Sequence, residues 1–168
     1  MQATQLLNAA QIDQKLRRLA YQIYEKNFQE KILVFAGVQG SGYLLAQRLK
    51  IQVESISELK IRLGQIFINK EAPLNQEIQF EADKAPLQNQ VILLVDDVLN
   101  TGRTLAYCLR LFLNLEVSRL QTLVLVDRKH RLYPIAADFV GFSLATTLQE
   151  HVQVILGDEE EKNGVFLS

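Results

Sequence analysis

Residues 91–104 read VILLVDDVLNTGRT, and the rest of the chain is arranged around them. The unbroken apolar run from Val91 to Val95 is the pattern of a strand buried on both faces. Two adjacent carboxylates, Asp96 and Asp97, end the run. Asn100, Thr101, Gly102, Arg103 and Thr104 then turn the chain into a predicted helix over residues 105–113. A strand that leaves through a glycine turn into a helix presents unpaired backbone N–H groups and the positive end of a helix dipole. Together these bind a phosphate. Gly102 lets the backbone approach, and the hydroxyls of Thr101 and Thr104 add hydrogen bonds. Two carboxylates aimed at a phosphate would repel it. They suit a neighbouring diol, such as the 2- and 3-hydroxyls of a ribose, or a Mg²⁺ ion. Phosphate and diol within one short loop describe a ribose 5-phosphate. The glycine spacing is neither G-x-G-x-x-G nor G-x-x-x-x-G-K-[ST], which argues against a dinucleotide fold and a P-loop NTPase.

This stretch resembles the phosphoribosyl diphosphate (PRPP) signature of the type I phosphoribosyltransferases, in which an apolar run and an acidic pair lead into T-G-x-T. An Asp pair closing a strand in another α/β protein, such as a metal-binding receiver domain, is the plainer alternative. It would not need the T-G-x-T that follows.

The 168 residues suit one phosphoribosyltransferase domain over 1–168, long enough to bury a substantial core without disulfide staples. With one cysteine, Cys108, no intramolecular disulfide is open to the chain, and its place in the predicted helix marks a buried, inert thiol. No hydrophobic run reaches membrane-spanning length and no secretory signal is evident, which leads us to expect a cytoplasmic protein without a membrane partner. A net charge of −1 gives no global drive toward nucleic acid, so RNA binding would need a local patch.

Upstream, Ile12, Leu16, Leu19, Ile23 and Tyr24 set the spacing of an amphipathic helix over residues 9–27, with Lys15, Arg17 and Arg18 on its solvated faces. Residues 31–36 (KILVFA) form a second buried-strand pattern running into Gly37, Val38, Gln39, Gly40, Ser41 and Gly42, then a helix over 43–49. Alone, such a glycine turn is as consistent with a plain tight turn as with a phosphate cradle. In the resembled family the corresponding loop, here Val38 to Gly42, holds the pyrophosphate of PRPP. Many members place Lys or Arg in it. This chain has neutral side chains, which leaves the backbone donors but removes charge-assisted contacts.

Residues 51–59 and 61–68 alternate and are predicted strands. Residues 69–90, polar and with two prolines, read as a mobile connection. The resemblance implies a lid here that closes over PRPP. Relatives often carry Tyr-Arg near its start, and in Ile68-Asn69-Lys70 only Lys70 can substitute.

Residues 120–126 (LQTLVLV) are the next buried strand, followed by Asp127-Arg128-Lys129-His130-Arg131 and by Ala137-Asp138-Phe139-Val140-Gly141-Phe142. V-D-R-x-H-R-x-x-P-I followed by A-D-[YF]-V-G resembles the pyrimidine operon regulator and uracil phosphoribosyltransferase branch, across nearly the whole chain. The hypoxanthine-guanine enzymes are the closest competitor. Phe139 would offer a face on which a flat base stacks, and the Val140 backbone a donor and an acceptor for its edge. The basic run has three readings: Arg128 and His130 beside the ligand, an RNA surface, or a solvated turn. Residues 151–156 (HVQVIL) alternate and are expected to close the sheet. Residues 158–162 make an acidic surface turn, and Val165, Phe166 and Leu167 dock on the core or at an interface.

The fold class these segments predict is α/β: a mostly parallel central sheet flanked by helices, ligand at its carboxyl edge. A small cap over the base would come from the segment after Val126, with the N-terminal helix. The resemblance implies Mg²⁺-assisted transfer of ribose 5-phosphate from PRPP to a nucleobase, foremost uracil, with release of pyrophosphate. Asp96 and Asp97 would hold the ribose hydroxyls near the metal, with Asp97 supporting the developing cation. Asn100 to Thr104 would hold the 5-phosphate. Two other functions stay open: a UMP- or PRPP-responsive, RNA-binding regulator of pyrimidine genes with little catalysis, and a hypoxanthine/guanine enzyme. A homodimer or larger assembly is implied by the resemblance.

Overall fold

The structure, a computed structural model, describes residues 3–168. Its centre is a six-stranded sheet in the order β4-β3-β2-β5-β6-β7. The strands are β2 (Ile32–Val38), β3 (Lys60–Phe67), β4 (Gln79–Glu81), β5 (Val91–Leu99), β6 (Arg119–Asp127) and β7 (Phe139–Ser143). Every neighbouring pair is parallel except β3 and β4. A second, antiparallel sheet in the order β1-β9-β8 joins the two ends of the chain: β1 (Thr4–Asn8), β8 (Val152–Ile155) and β9 (Gly164–Leu167).

Residues 33–36 of β2 and 91–95 of β5 are apolar at every position because both faces are covered. On one face Leu33 and Phe35 of β2 and Val91, Leu93 and Val95 of β5 pack with α1 (Ala9–Asn27) and α2 (Ser41–Ile56). On the other, Val34, Ala36, Ile92 and Leu94 pack with Leu105, Cys108 and Phe112 of α3 (Arg103–Cys108) and α4 (Arg110–Leu113). Cys108 is buried there as expected, and its thiol is pushed up to about 12 by burial and then by Asp96. Helix α1 begins in a capping box, in which Asn8 Oδ1 accepts from Gln11 N (2.9 Å) and Gln11 Oε1 from Asn8 N (2.9 Å). Of its predicted stripe, Ile12, Leu16, Leu19 and Ile23 are buried, while Tyr24 is exposed.

Several elements depart from the sequence expectations. The apolar alternation over residues 51–59 is no strand. It is the last part of α2 and the turn after it, because Leu45, Leu49 and Val53 recur every four residues and are all buried, while Ile51 points to solvent. The helix after the glycine turn is divided at Leu109 into α3 and α4. The acidic pair does not end β5, whose pairing with β6 continues to Leu99 opposite Asp127. Residues 151–156 do not close the central sheet. β8 pairs with β9, so the segment after Val126 forms a second sheet, completed by β1 rather than by the N-terminal helix. β1, which pairs with β9, carried no strand pattern, since only Leu7 of its five residues is buried.

Residues 69–90 are partly anchored. β4 lies on the edge of β3, and the Phe80 ring covers Gly64, where a side chain would collide with it. Arg62 clamps the returning limb, donating to the Asp83 carboxylate and to the carbonyls of Ala85 (2.7 Å) and Pro86 (3.0 Å).

Candidate functional site

At the carboxyl end of β5 a cavity of about 250 Å³ opens between two walls. One wall is residues 96–105, the end of β5 and the following loop. The other is residues 151–154, at the start of β8, and Lys70 stands at the mouth.

Asp96 is buried, and its Oδ1 accepts the backbone N–H of Asp97 (2.9 Å). Asp97 Oδ1 in turn accepts from Val98 N (2.8 Å). Burial, reinforced by the neighbouring Asp97 charge, pushes the Asp96 carboxyl up to about 7. Lys70 opposes this, with Nζ 3.5 Å from Asp96 Oδ1. The first turn of α2 presses on the same carboxylate. A Cβ on Gly42 would sit 2.9 Å from Asp96 Oδ1 and 3.1 Å from its Cα, so glycine is required for that approach.

The loop beyond owes its shape to Gly102, whose φ of 83° lies in the left-handed region. Arg103 N donates to Thr101 Oγ1 (3.2 Å), while Ala106 N reaches back to Gly102 O (2.9 Å). A second segment supports the loop from outside. Leu132 N and Tyr133 N both donate to Thr101 O (2.9 and 3.0 Å), and Ile135 packs against Gly102. The result is a rigid turn with Asn100, Thr101, Gly102, Arg103 and Thr104 all lining the cavity.

Residues 38–42 do not line this cavity. They border it at the end of β2, where Ser41 Oγ donates to Val154 O (3.1 Å) and ties the start of α2 to β8. Gln39 and Gly40 are exposed, and Gly40 takes a φ of 89°.

The residues expected at the base lie elsewhere. Phe139 is 1% exposed, in the core beneath α1, with Lys26 Nζ 5.3 Å from its ring centroid. It opens the edge strand β7 opposite Leu123, and its ring is enclosed on the sheet face that α1 covers. Val140 is half-buried on the opposite face of the sheet, and its partner is Val124. Arg128 is 8% exposed, and its guanidinium is taken up by Thr146 Oγ1 (3.0 Å), Asn100 Oδ1 (2.9 Å) and the carbonyls of Thr147 (3.2 Å) and Glu150 (2.6 Å). His130 Nε2 lies 2.6 Å from Thr146 O, an atom that can only accept, so this nitrogen carries the proton. Arg128 and His130 therefore brace the cavity and do not line it. Asp127 shapes the basic turn from below, accepting from Lys129 N (2.8 Å) and from Arg131 Nη2 (2.9 Å).

The wall facing residues 100–104 was missed by sequence reasoning. His151 and Gln153 are exposed while Val152 and Val154 are buried, the alternation of a strand with one face on the core. That alternation was visible in HVQV, but nothing local said which cavity its polar face would meet.

An acidic pair with Asp96 buried, a glycine-turn loop and a separate small sheet stand together at the carboxyl edge of a parallel sheet, and the chain belongs to the phosphoribosyl transferase domain family, which it matches over residues 2–157. Within that family it is similar to the bifunctional PyrR proteins. The one from Staphylococcus saprophyticus is 35% identical over 170 residues, covering 96% of this chain and 97% of the relative. That of Ligilactobacillus salivarius is 33% identical over 174 residues, 98% of each. The fold is shared with the hypoxanthine phosphoribosyltransferase of Trypanosoma cruzi (TM-score 0.80, 16% identity, 98% of this chain and 95% of the other). It is also shared with a hypoxanthine-guanine enzyme of Bacillus anthracis (TM-score 0.73, 20% identity, 100% and 99%). No helix among the described residues is long and apolar enough to cross a membrane.

Proposed function

We propose that this chain joins uracil to the ribose 5-phosphate of PRPP and releases pyrophosphate. The observation that carries the reading is the cavity itself, in which the acidic pair and the complete loop of residues 100–104 face β8 across a space of nucleotide size. In this reading the backbone N–H groups of the loop and the hydroxyls of Thr101 and Thr104 bind the 5-phosphate. Asp97 accepts from the ribose hydroxyls, and its charge supports the oxocarbenium-like centre at C1 as the bond to pyrophosphate breaks. The base nitrogen forms the new bond to C1 and loses its proton, and pyrophosphate departs with the electron pair of the broken C–O bond. The exposed edge of β8, with His151 and Gln153, meets the base. Catalysis is chiefly positioning and electrostatics.

No cluster of three or more ligating side chains exists among the described residues. Two adjacent carboxylates fit a hard cation carried mainly by the oxygens of PRPP, with Asp97 as the protein's contribution. Bound there, Mg²⁺ would neutralise the charge growing on pyrophosphate.

A second reading, a UMP-responsive regulator acting through RNA, is supported by the neutral side chains of residues 38–42 and by the word bifunctional in the relatives' names. Incubating the protein with PRPP, Mg²⁺ and, in parallel, uracil, hypoxanthine, guanine, adenine and orotate separates the possibilities. Nucleotide formed from uracil supports the first reading, and turnover with a purine alone would replace it. No turnover in protein that binds UMP, together with a UMP-dependent RNA gel shift, would favour the regulator.

A further inference from the structure

The two walls of the cavity are joined by one side chain. Arg128 follows β6, and its backbone N donates to Leu99 O (3.0 Å), so its own position is set by the end of β5. From there Nη1 reaches Asn100 Oδ1, the first residue of the phosphate loop, while Nη2 reaches Thr147 O and Glu150 O and Nε reaches Thr146 Oγ1. Glu150 immediately precedes His151 on the opposite wall. His130 holds the same loop through Thr146. Between Ala145 and Glu150 no side chain is buried, so hydrogen bonds rather than packing locate this connection. Glu150 itself accepts from Thr147 N (2.6 Å), which closes the loop on itself but does not tie it to the sheet.

We infer that Arg128 is a positioning residue that sets the spacing between the phosphate loop and the base-facing strand, so that the site recognises phosphate and base as one ligand. The inference rests on the nucleotide reading above. A planar guanidinium can address acceptors on two sides at once, which a lysine ammonium on the same stem cannot. A buried donor set with four acceptors on two segments is a rigid strut, and it transmits displacement of either wall to the other. A ligand that touches only the phosphate loop does not need the strut. A ligand that spans both walls does.

The test is calorimetric titration of the full chain with ribose 5-phosphate and with UMP, in wild type, Arg128→Lys and Thr146→Val, alongside thermal unfolding. For Arg128→Lys the expected result is UMP affinity lowered about tenfold or more, with ribose 5-phosphate changed by less than about threefold. Thr146→Val removes the Nε acceptor from an exposed loop without threatening the fold, and should show the same asymmetry at about threefold. A general loss of structure would weaken both ligands together. Equal losses, or UMP affinity unchanged in both variants, would overturn the inference. Wild-type protein that binds neither ligand would instead remove the nucleotide reading on which it stands.

Discussion

Lys70 Nζ lies 3.5 Å from Asp96 Oδ1, a cation set against a carboxyl that burial and its neighbour hold at about 7. In the unfolded chain that group ionises near 3.8, so the native state holds its proton over a wider range. Its contribution to stability is therefore complete below 3.8 and is lost as pH rises to about 7. Asp96→Asn keeps the acceptor for Asp97 N and removes the titration. The difference in unfolding temperature between Asp96→Asn and wild type should grow in the variant's favour from pH 4 toward pH 7 and then level off. A constant difference would contradict the raised value.

Thr101→Ala with Thr104→Ala should weaken PRPP and UMP alike, by roughly a hundred- to ten-thousandfold, since hydrogen bonds to a charged phosphate are worth about 1.5–3 kcal/mol each. Calorimetry with both ligands checks this. Unchanged affinity would displace the phosphate from the loop.

Gln39→Lys would place a charge in the neutral loop beside α2, at an exposed position. PRPP affinity should rise several-fold while UMP, which has no pyrophosphate, stays near its original value. An equal rise for both would show that the lysine acts by general attraction.

Gly42→Ala drives a methyl into Asp96 and the Val95 carbonyl, which would lie 3.1 Å away. Overpacking of this kind costs about 1–3 kcal/mol. Here it should also displace the acidic pair, so denaturant midpoint and UMP affinity fall together.

Phe139→Ala should destabilise the fold by about 3–5 kcal/mol, as truncating a core aromatic does. Phe139→Leu should lower the urea midpoint modestly and leave the Michaelis constant for the base unchanged. A selective change in that constant would return Phe139 to the base site.

The legible parts of this molecule are those whose chemistry is local. The run from Val91 to Val95, the acidic pair, and the glycine turn at Gly102 each dictate their own conformation, so strand and loop could be read directly, and the cavity is built on them. The stripe of α1 was equally plain, and its boundaries agree with the periodicity. Where two periods overlapped, as in residues 51–59, the spacing of Leu45, Leu49 and Val53 prevailed because burial of the preceding turns had already committed the segment to a helix.

The base side of the site was decided by tertiary structure alone. Phe139 and Arg128 look like ligand contacts because of their types, yet one is enclosed by α1 and the other by the carbonyls of a loop about twenty residues further on. The opposite wall comes from β8, which could be placed only once β1 and β9, from the two ends of the chain, had paired. Sequence determined the β5 wall of the cavity because strand, turn and helix end lie within fourteen consecutive residues. The base half depends on long-range strand pairing and on which side of a sheet a helix covers, and no local pattern encodes either.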